Sequence, residues 1–315
     1  MSDLLKSVDE RTQLAGTNRL EVLLFKLGED KDTGRDELFG INVFKVREVM
    51  HLPEITRAPD MPPGVEGIVS LRGAMVPVIN LQKFCKLNTD DEPKILMITE
   101  YNKNVQGFLV KSVDTIKRLN WEDVKEPPPM IANRLGGLVT AVTEIEDQSL
   151  VLILDVEKVL AETADLYDSE NIFNGIDKYD GGHDITVVFA DDSQIARKQV
   201  ADTLEHLGIN YISTNNGAEA WMKLNELAQA SVDKGRAITD FVSLVITDVE
   251  MPEMDGYVLT RKIKEHPVLG EVPVVMHSSL SAEANQALGK GVGADAYVPK
   301  FKPAELASTL KRILE

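Results

Sequence analysis

The run Ser243-Leu-Val-Ile-Thr-Asp248 limits most strictly what this chain can become. A short apolar stretch ends in an aspartate, and Pro252, Asp255 and Gly256 follow closely. The run is short for a helix and suits a strand covered on both faces. The residues after it break that strand and start something new. Residues 242–247 therefore read as a buried parallel strand. It delivers Asp248 to the C-terminal edge of a sheet, where open α/β sheets place their chemistry.

The surrounding residues 183–315 alternate strand and helix. Ile185–Ala190 reads as a first buried strand. Ser193 can cap a helix with Ala196, Val200, Leu204 and Leu207 on one face. Asn210–Thr214 is a strand, followed by a helix through Trp221, Leu224 and Ala228. Asp255 opens a helix that ends before Pro267. Val272–His277 and Ala296–Val298 are strands, with a helix near 281–290 between them. Pro303 suits the first turn of a last helix bearing Leu306, Leu310 and Ile313. Five β/α units in this rhythm imply a doubly wound, five-stranded parallel sheet with helices on both faces.

That topology brings strand ends together. The first strand ends at Asp191-Asp192, the third at Asp248 and the fourth at Ser278, and the fifth leads to Lys300. Three carboxylates on neighbouring strand ends repel one another unless a cation sits among them. A hard, oxygen-seeking ion, Mg²⁺, is the natural occupant. One carboxylate can then attack phosphorus. The metal and a lysine neutralise the transferring oxygens, and the Ser278 hydroxyl can hydrogen-bond the bound phosphoryl group.

The first half reads differently. Residues 2–14 form a short amphipathic helix in this reading, with Leu4, Leu5 and Val8 on one face. Short strands follow at Leu20–Leu27, Leu38–Val43, Val65–Leu71, Ala74–Ile79, Lys94–Thr99, Val105–Val110, Thr115–Leu119, Gly137–Val142 and Leu150–Leu154. Many short strands between turns suggest a barrel or paired barrels. No metal-ligand spacing and no phosphate loop occurs among them. Val43, Val46 and Val49 fit either a core or an apolar patch. Residues 162–182 carry six acids and one lysine and read as an exposed, self-repelling linker, with a short helix at 164–173 as the alternative. The expected domains are an arm at 1–18, a β domain at 19–162, the linker at 163–182 and an α/β domain at 183–315.

Composition narrows the function. The 315 residues include 34 basic and 51 acidic ones, a net charge of −17. That balance argues against nucleic-acid binding, which needs a basic footprint. No apolar run approaches the roughly 18 residues of a membrane span, and no secretory signal opens the chain. The lone cysteine, Cys85, leaves no intrachain disulfide or cysteine cluster for zinc. A cytoplasmic chain without direct membrane insertion is expected.

Two resemblances sharpen these expectations. Gly40-Ile-Asn-Val-Phe-Lys-Val-Arg-Glu-Val, Gly64-Val-Glu-Gly-Ile-Val-Ser-Leu-Arg-Gly-Ala-Met-Val-Pro-Val-Ile-Asn-Leu81 and Leu150-Val-Leu-Ile-Leu-Asp-Val-Glu-Lys-Val-Leu160 resemble the CheW-like coupling domain of bacterial chemotaxis. The resemblance implies two small β-barrels that bind chemoreceptor tips and the histidine kinase CheA, with Arg72 at the receptor-binding surface. Phe189-Ala-Asp-Asp-Ser193, Asp248-Val-Glu-Met-Pro-Glu-Met-Asp-Gly256 and Ser278 resemble a response-regulator receiver domain. That resemblance implies Asp248 as phosphoacceptor and Asp191, Asp192 and Asp248 as metal ligands, with the backbone carbonyl of Glu250 completing the set. It makes Ser278 the switch hydroxyl, Lys300 the phosphate-contacting lysine and Tyr297 the aromatic whose rotamer follows activation. Two departures stand out. Receivers usually follow the lysine directly with proline, whereas Lys300-Phe-Lys-Pro303 delays it by two positions, which bears on the lysine's approach. The stretch Ala218 to Phe241 is also longer than usual.

In this order the two domains resemble the CheV family of chemotaxis coupling proteins. The resemblance implies an adaptor that links chemoreceptors to CheA and is regulated by phosphoryl transfer to Asp248, not an enzyme. A constitutive scaffold or phosphate sink is one alternative. An aspartate-nucleophile phosphohydrolase is another, but such enzymes carry the nucleophile on their first strand, where Asp191-Asp192-Ser193 does not fit their pattern.

Overall fold

A computed structural model describes residues 19–57, 61, 64–101, 104–132, 138–145, 149–163, 173, 175–181, 185–279 and 288–315. The expected helix at 2–14 lies outside these residues, as does most of the one near 281–290. The chain divides into two compact units, one within Leu20–Asp168 and the other within Ser169–Glu315.

The first unit holds β1 (Arg19–Lys26), β2 (Leu38–Asn42), β3 (Val46–His51), β4 (Val65–Leu71), β5 (Ala74–Asn80), α1 (Leu81–Phe84), β6 (Ile95–Tyr101), β7 (Asn104–Val110), β8 (Ser112–Asn120), α2 (Pro129–Ala132), β9 (Val139–Glu144), β10 (Leu150–Leu154) and α3 (Val156–Thr163). They form two five-stranded sheets, ordered β8-β1-β2-β10-β9 and β3-β6-β7-β5-β4. Strand alternation gives each sheet two uses. In the first, Val22, Leu24, Val151 and Ile153 fill one core; in the second, Val76, Val78, Leu96 and Leu109 fill another. The alternate residues Leu23, Phe25, Phe39, Ile79, Met97 and Phe108 meet in a core that both sheets share. This is the paired all-β architecture expected.

Two details were not legible beforehand. Strand β3 is absent from the expectations, because its exposure follows no alternation. Val43 proves to be core, and Val46 and Val49 pack partly buried against the shared core. Cys85 is buried, and burial pushes its thiol up to about 12, the inert state expected of a packing residue.

The second unit has β11 (Thr186–Ala190), α4 (Gln194–Leu207), β12 (Asn210–Thr214), α5 (Gly217–Lys234), β13 (Leu244–Thr247), α6 (Gly256–Glu265), β14 (Val274–Ser278), β15 (Ala296–Pro299) and α7 (Pro303–Leu314). The sheet order is β12-β11-β13-β14-β15, with every pairing parallel. Val187, Phe189, Leu244 and Ile246 face α4 and α7, while Val188, Val245 and Val274 face α5 and α6. Burial on both faces explains the unbroken apolar runs in the sequence. The long Ala218–Phe241 stretch resolves into the 18-residue α5, ended by left-handed Gly235, and a 3₁₀ turn at Ile238–Asp240.

The end of the acidic stretch is not a free linker. The Tyr179 N–H donates to Leu207 O at 2.9 Å, and its hydroxyl donates to Leu314 O at 2.8 Å. Ile176 and Tyr179 pack on the α4–α7 core, and the Phe173 ring stacks on His206 at 4.3 Å. Apolar residues interleaved with the acids dock this segment despite its charge. Among the described residues, no helix is long and apolar enough to cross a membrane.

Candidate functional site

The site lies where the sheet order reverses, between β11 and β13, the position at which doubly wound sheets bind ligands. β11 ends at Ala190, and the Asp248 N–H donates to Ala190 O at 2.8 Å. Asp191 and Asp248 thus leave adjacent strands side by side. Asp191, Asp192 and Asp248 each offer a carboxylate oxygen within 4.8 Å of the others.

Lys300 completes the group. It follows β15, is fully buried, and places Nζ 2.9 Å from Asp191 Oδ2 and 2.8 Å from Asp248 Oδ2. A buried ammonium needs such partners. The displaced proline does not turn the lysine away. Phe301 takes a left-handed φ of 59° and Pro303 starts α7, so the chain turns after Lys300 without a proline beside it. The Lys300 N–H also donates to Ser278 O at 3.1 Å, tying β15 to the end of β14.

The remaining oxygens are held in place. Asp248 Oδ1 accepts from the Val249 N–H at 2.6 Å. Asp191 Oδ1 accepts from the Ser193 N–H at 3.0 Å. One guanidinium nitrogen of Arg197 donates to both the Asp191 and the Asp192 carbonyls, at 2.7 and 2.8 Å. Arg197 was not singled out in the sequence. Its signal is position: helix side chains slope toward the N-terminus, so an arginine one turn into a helix reaches the loop before it.

Ser278 is buried at the end of β14 and shares a hydrogen bond with the Tyr297 side chain. Tyr297 packs with Val249, Tyr257 and Met276. Burial holds both tyrosine hydroxyls well above their ordinary range, so both are neutral. Glu250 is buried just beyond Asp248. Asp255 caps α6, accepting from the Val258 N–H at 2.7 Å, and burial lifts its carboxyl to about 6.

The donor set fits a hard divalent cation. Three carboxylate oxygens converge, and Lys300 offsets only part of their charge.

Arg72 lies in the first unit. With Gly73 it forms the two-residue turn between β4 and β5, where Leu71 pairs with Ala74. Both turn residues have left-handed φ, 50° and 85°, as the tight hairpin requires. The Arg72 side chain is 73% exposed and pairs with Glu48 at 2.9 Å. So exposed a pair adds little stability.

Comparison with known proteins agrees with both halves. Residues 21–164 match the CheW-like domain, and residues 187–311 match the response regulator receiver domain. Chemotaxis protein CheV3 of Helicobacter pylori is 31% identical over 303 residues, covering 95% of this chain and 96% of that protein. Chemotaxis protein CheV1 of the same organism is 27% identical over 335 residues, covering 100% and 99%. Chemotaxis protein CheW of Klebsiella aerogenes is 28% identical and covers 48% of this chain and 87% of its own. A relative matched end to end, with both domains in the same order, means that the chain belongs to the CheV family of chemotaxis proteins.

Proposed function

We propose that this protein couples chemoreceptors to the histidine kinase CheA through its first unit, and that phosphorylation of Asp248 regulates the coupling. The observation that supports this best is the buried Lys300 shared by Asp191 and Asp248, with Asp192 alongside.

In this reading one Asp248 carboxylate oxygen attacks the phosphorus of the kinase phosphohistidine. An O–P bond forms, the N–P bond breaks, and the electron pair leaves on the imidazole nitrogen. Lys300 neutralises charge on the transferring oxygens. Asp191, Asp192, Asp248 and the Glu250 carbonyl would hold Mg²⁺, which when bound offsets the phosphoryl charge. The Ser278 hydroxyl then leaves Tyr297 for the phosphoryl oxygen. Tyr297 loses its polar partner and repacks, carrying the local charge change to the surface near β14 and β15.

Arg72 and the β4–β5 turn are the proposed receptor contact, at receptor arrays on the cytoplasmic side. The protein is an acceptor in this scheme and turns over no substrate of its own. Kinase activity of reconstituted receptor–CheA assemblies tests the regulation. Phosphodonor is expected to shift the activity supported by the wild type and leave that supported by Asp248→Ala unchanged. Equal responses would leave a constitutive scaffold.

A further inference from the structure

We infer that Arg197 is a positioning residue for the metal-binding carboxylates, an assignment that rests on reading Asp191, Asp192 and Asp248 as a metal site. Consecutive carbonyls of an extended strand point to opposite sides. A single nitrogen therefore cannot bond two of them while the strand continues. The Arg197 Nη1 nonetheless lies 2.7 Å from Asp191 O and 2.8 Å from Asp192 O. It clasps the turn by which the chain leaves β11.

That turn decides where the carboxylates go. With the Asp191 and Asp192 carbonyls gathered on one side, the Ser193 N–H meets Asp191 Oδ1 at 3.0 Å, and Asp191 Oδ2 faces Lys300 at 2.9 Å. Asp192 is brought within 4.8 Å of the other two carboxylates. The helix start is fixed independently by Ser193, whose side chain accepts from the Ala196 N–H and whose carbonyl accepts from the Arg197 N–H at 2.9 Å. The arm thus begins on a rigid base. An arginine suits the task because its charge is permanent and its bonds to carbonyls are charge-assisted.

A positive charge beside a cation site makes the assignment sharp. Acting as a charge alone, Arg197 would repel the metal, and its removal would tighten binding. Acting as a clasp, its removal loosens the ligands. Groups that orient metal ligands in this way are worth about 10- to 100-fold in affinity.

The test is calorimetric titration of the full-length protein with MgCl₂, comparing wild type, Arg197→Met, Arg197→Lys and Asp192→Asn. Arg197→Met is expected to bind Mg²⁺ about 10- to 100-fold more weakly. Arg197→Lys, with the same charge on a shorter arm, recovers part of that loss. Acetyl phosphate labelling of Arg197→Met is expected to regain its wild-type rate at saturating Mg²⁺, with the half-saturating concentration raised by the same factor. A general loss of structure would not give that pattern. Arg197→Met binding as tightly as wild type, or more tightly, while Asp192→Asn loses the metal, would overturn the clasp and leave the metal site standing. Wild-type affinity in Asp192→Asn would instead overturn the metal site, and the clasp with it.

Discussion

A Cβ on Gly256 would lie 1.9 Å from the carbonyl oxygen of Asp248. The first residue of α6 thus sits directly against the backbone of the residue proposed to accept phosphate. The Gly256 N–H donates to Val249 O at 3.0 Å, so the close approach closes a tight loop. Gly256→Ala must push that backbone aside. It is expected to cost about 1–3 kcal/mol by overpacking and to suppress acetyl phosphate labelling of Asp248. Urea unfolding and intact-protein mass spectrometry read the two effects.

Lys300 offsets two buried carboxylates at once. Lys300→Met removes the cation and leaves those charges to each other. Breaking a buried pair from one side typically costs about 3–5 kcal/mol. Mg²⁺ is expected to return part of that stability, because it supplies positive charge to the same oxygens. Thermal melts with and without MgCl₂ test this, and a larger Mg²⁺-induced rise in Tm is expected for the variant than for wild type.

Asp255 gives a dependence on pH. Burial is the largest influence on its carboxyl and raises it to about 6, against the opposing cap bonds from Val258 and Tyr257. Its folded value is above its unfolded one. The stability it contributes is therefore fully present below about pH 4 and is lost as the pH rises through about 6. Asn caps a helix equally well and does not titrate. The stability of wild type relative to Asp255→Asn should fall by on the order of 3 kcal/mol between these limits. Urea titrations of both proteins across the window measure it.

Arg72 is the proposed receptor contact, and its exposure leaves it little part in stability. Its pairing with Glu48 is exposed on the arginine side, and such pairs contribute about 0–1 kcal/mol. Arg72→Ala should leave the unfolding midpoint within the range of neutral surface changes. Arginines at interface centres commonly cost about 2 kcal/mol or more when truncated. A loss of that size in co-sedimentation with receptor-containing membranes is expected.

The legible parts of this chain share a cause. Asp248, Asp191 and Asp192 announce themselves because apolar runs buried on both faces end at them. Parallel topology then fixes which strand ends meet. Lys300 could be placed after β15 from the same rhythm, but the left-handed Phe301 through which the chain turns after it is signalled by no local pattern. Arg197 was hidden for a related reason, since its partners are carbonyls and any residue type supplies those. Strand β3 escaped because neither of its faces is fully buried, leaving no period to detect. The acidic stretch misled through its charge, which masked the docking of Phe173, Ile176 and Tyr179.

The most direct measurement is phosphoryl transfer from CheA labelled with radioactive ATP to the wild-type protein and to Asp248→Ala. The account predicts rapid, Mg²⁺-dependent movement of label from kinase to wild type, and none to the variant. Label arriving on Asp248→Ala at the wild-type rate would contradict it.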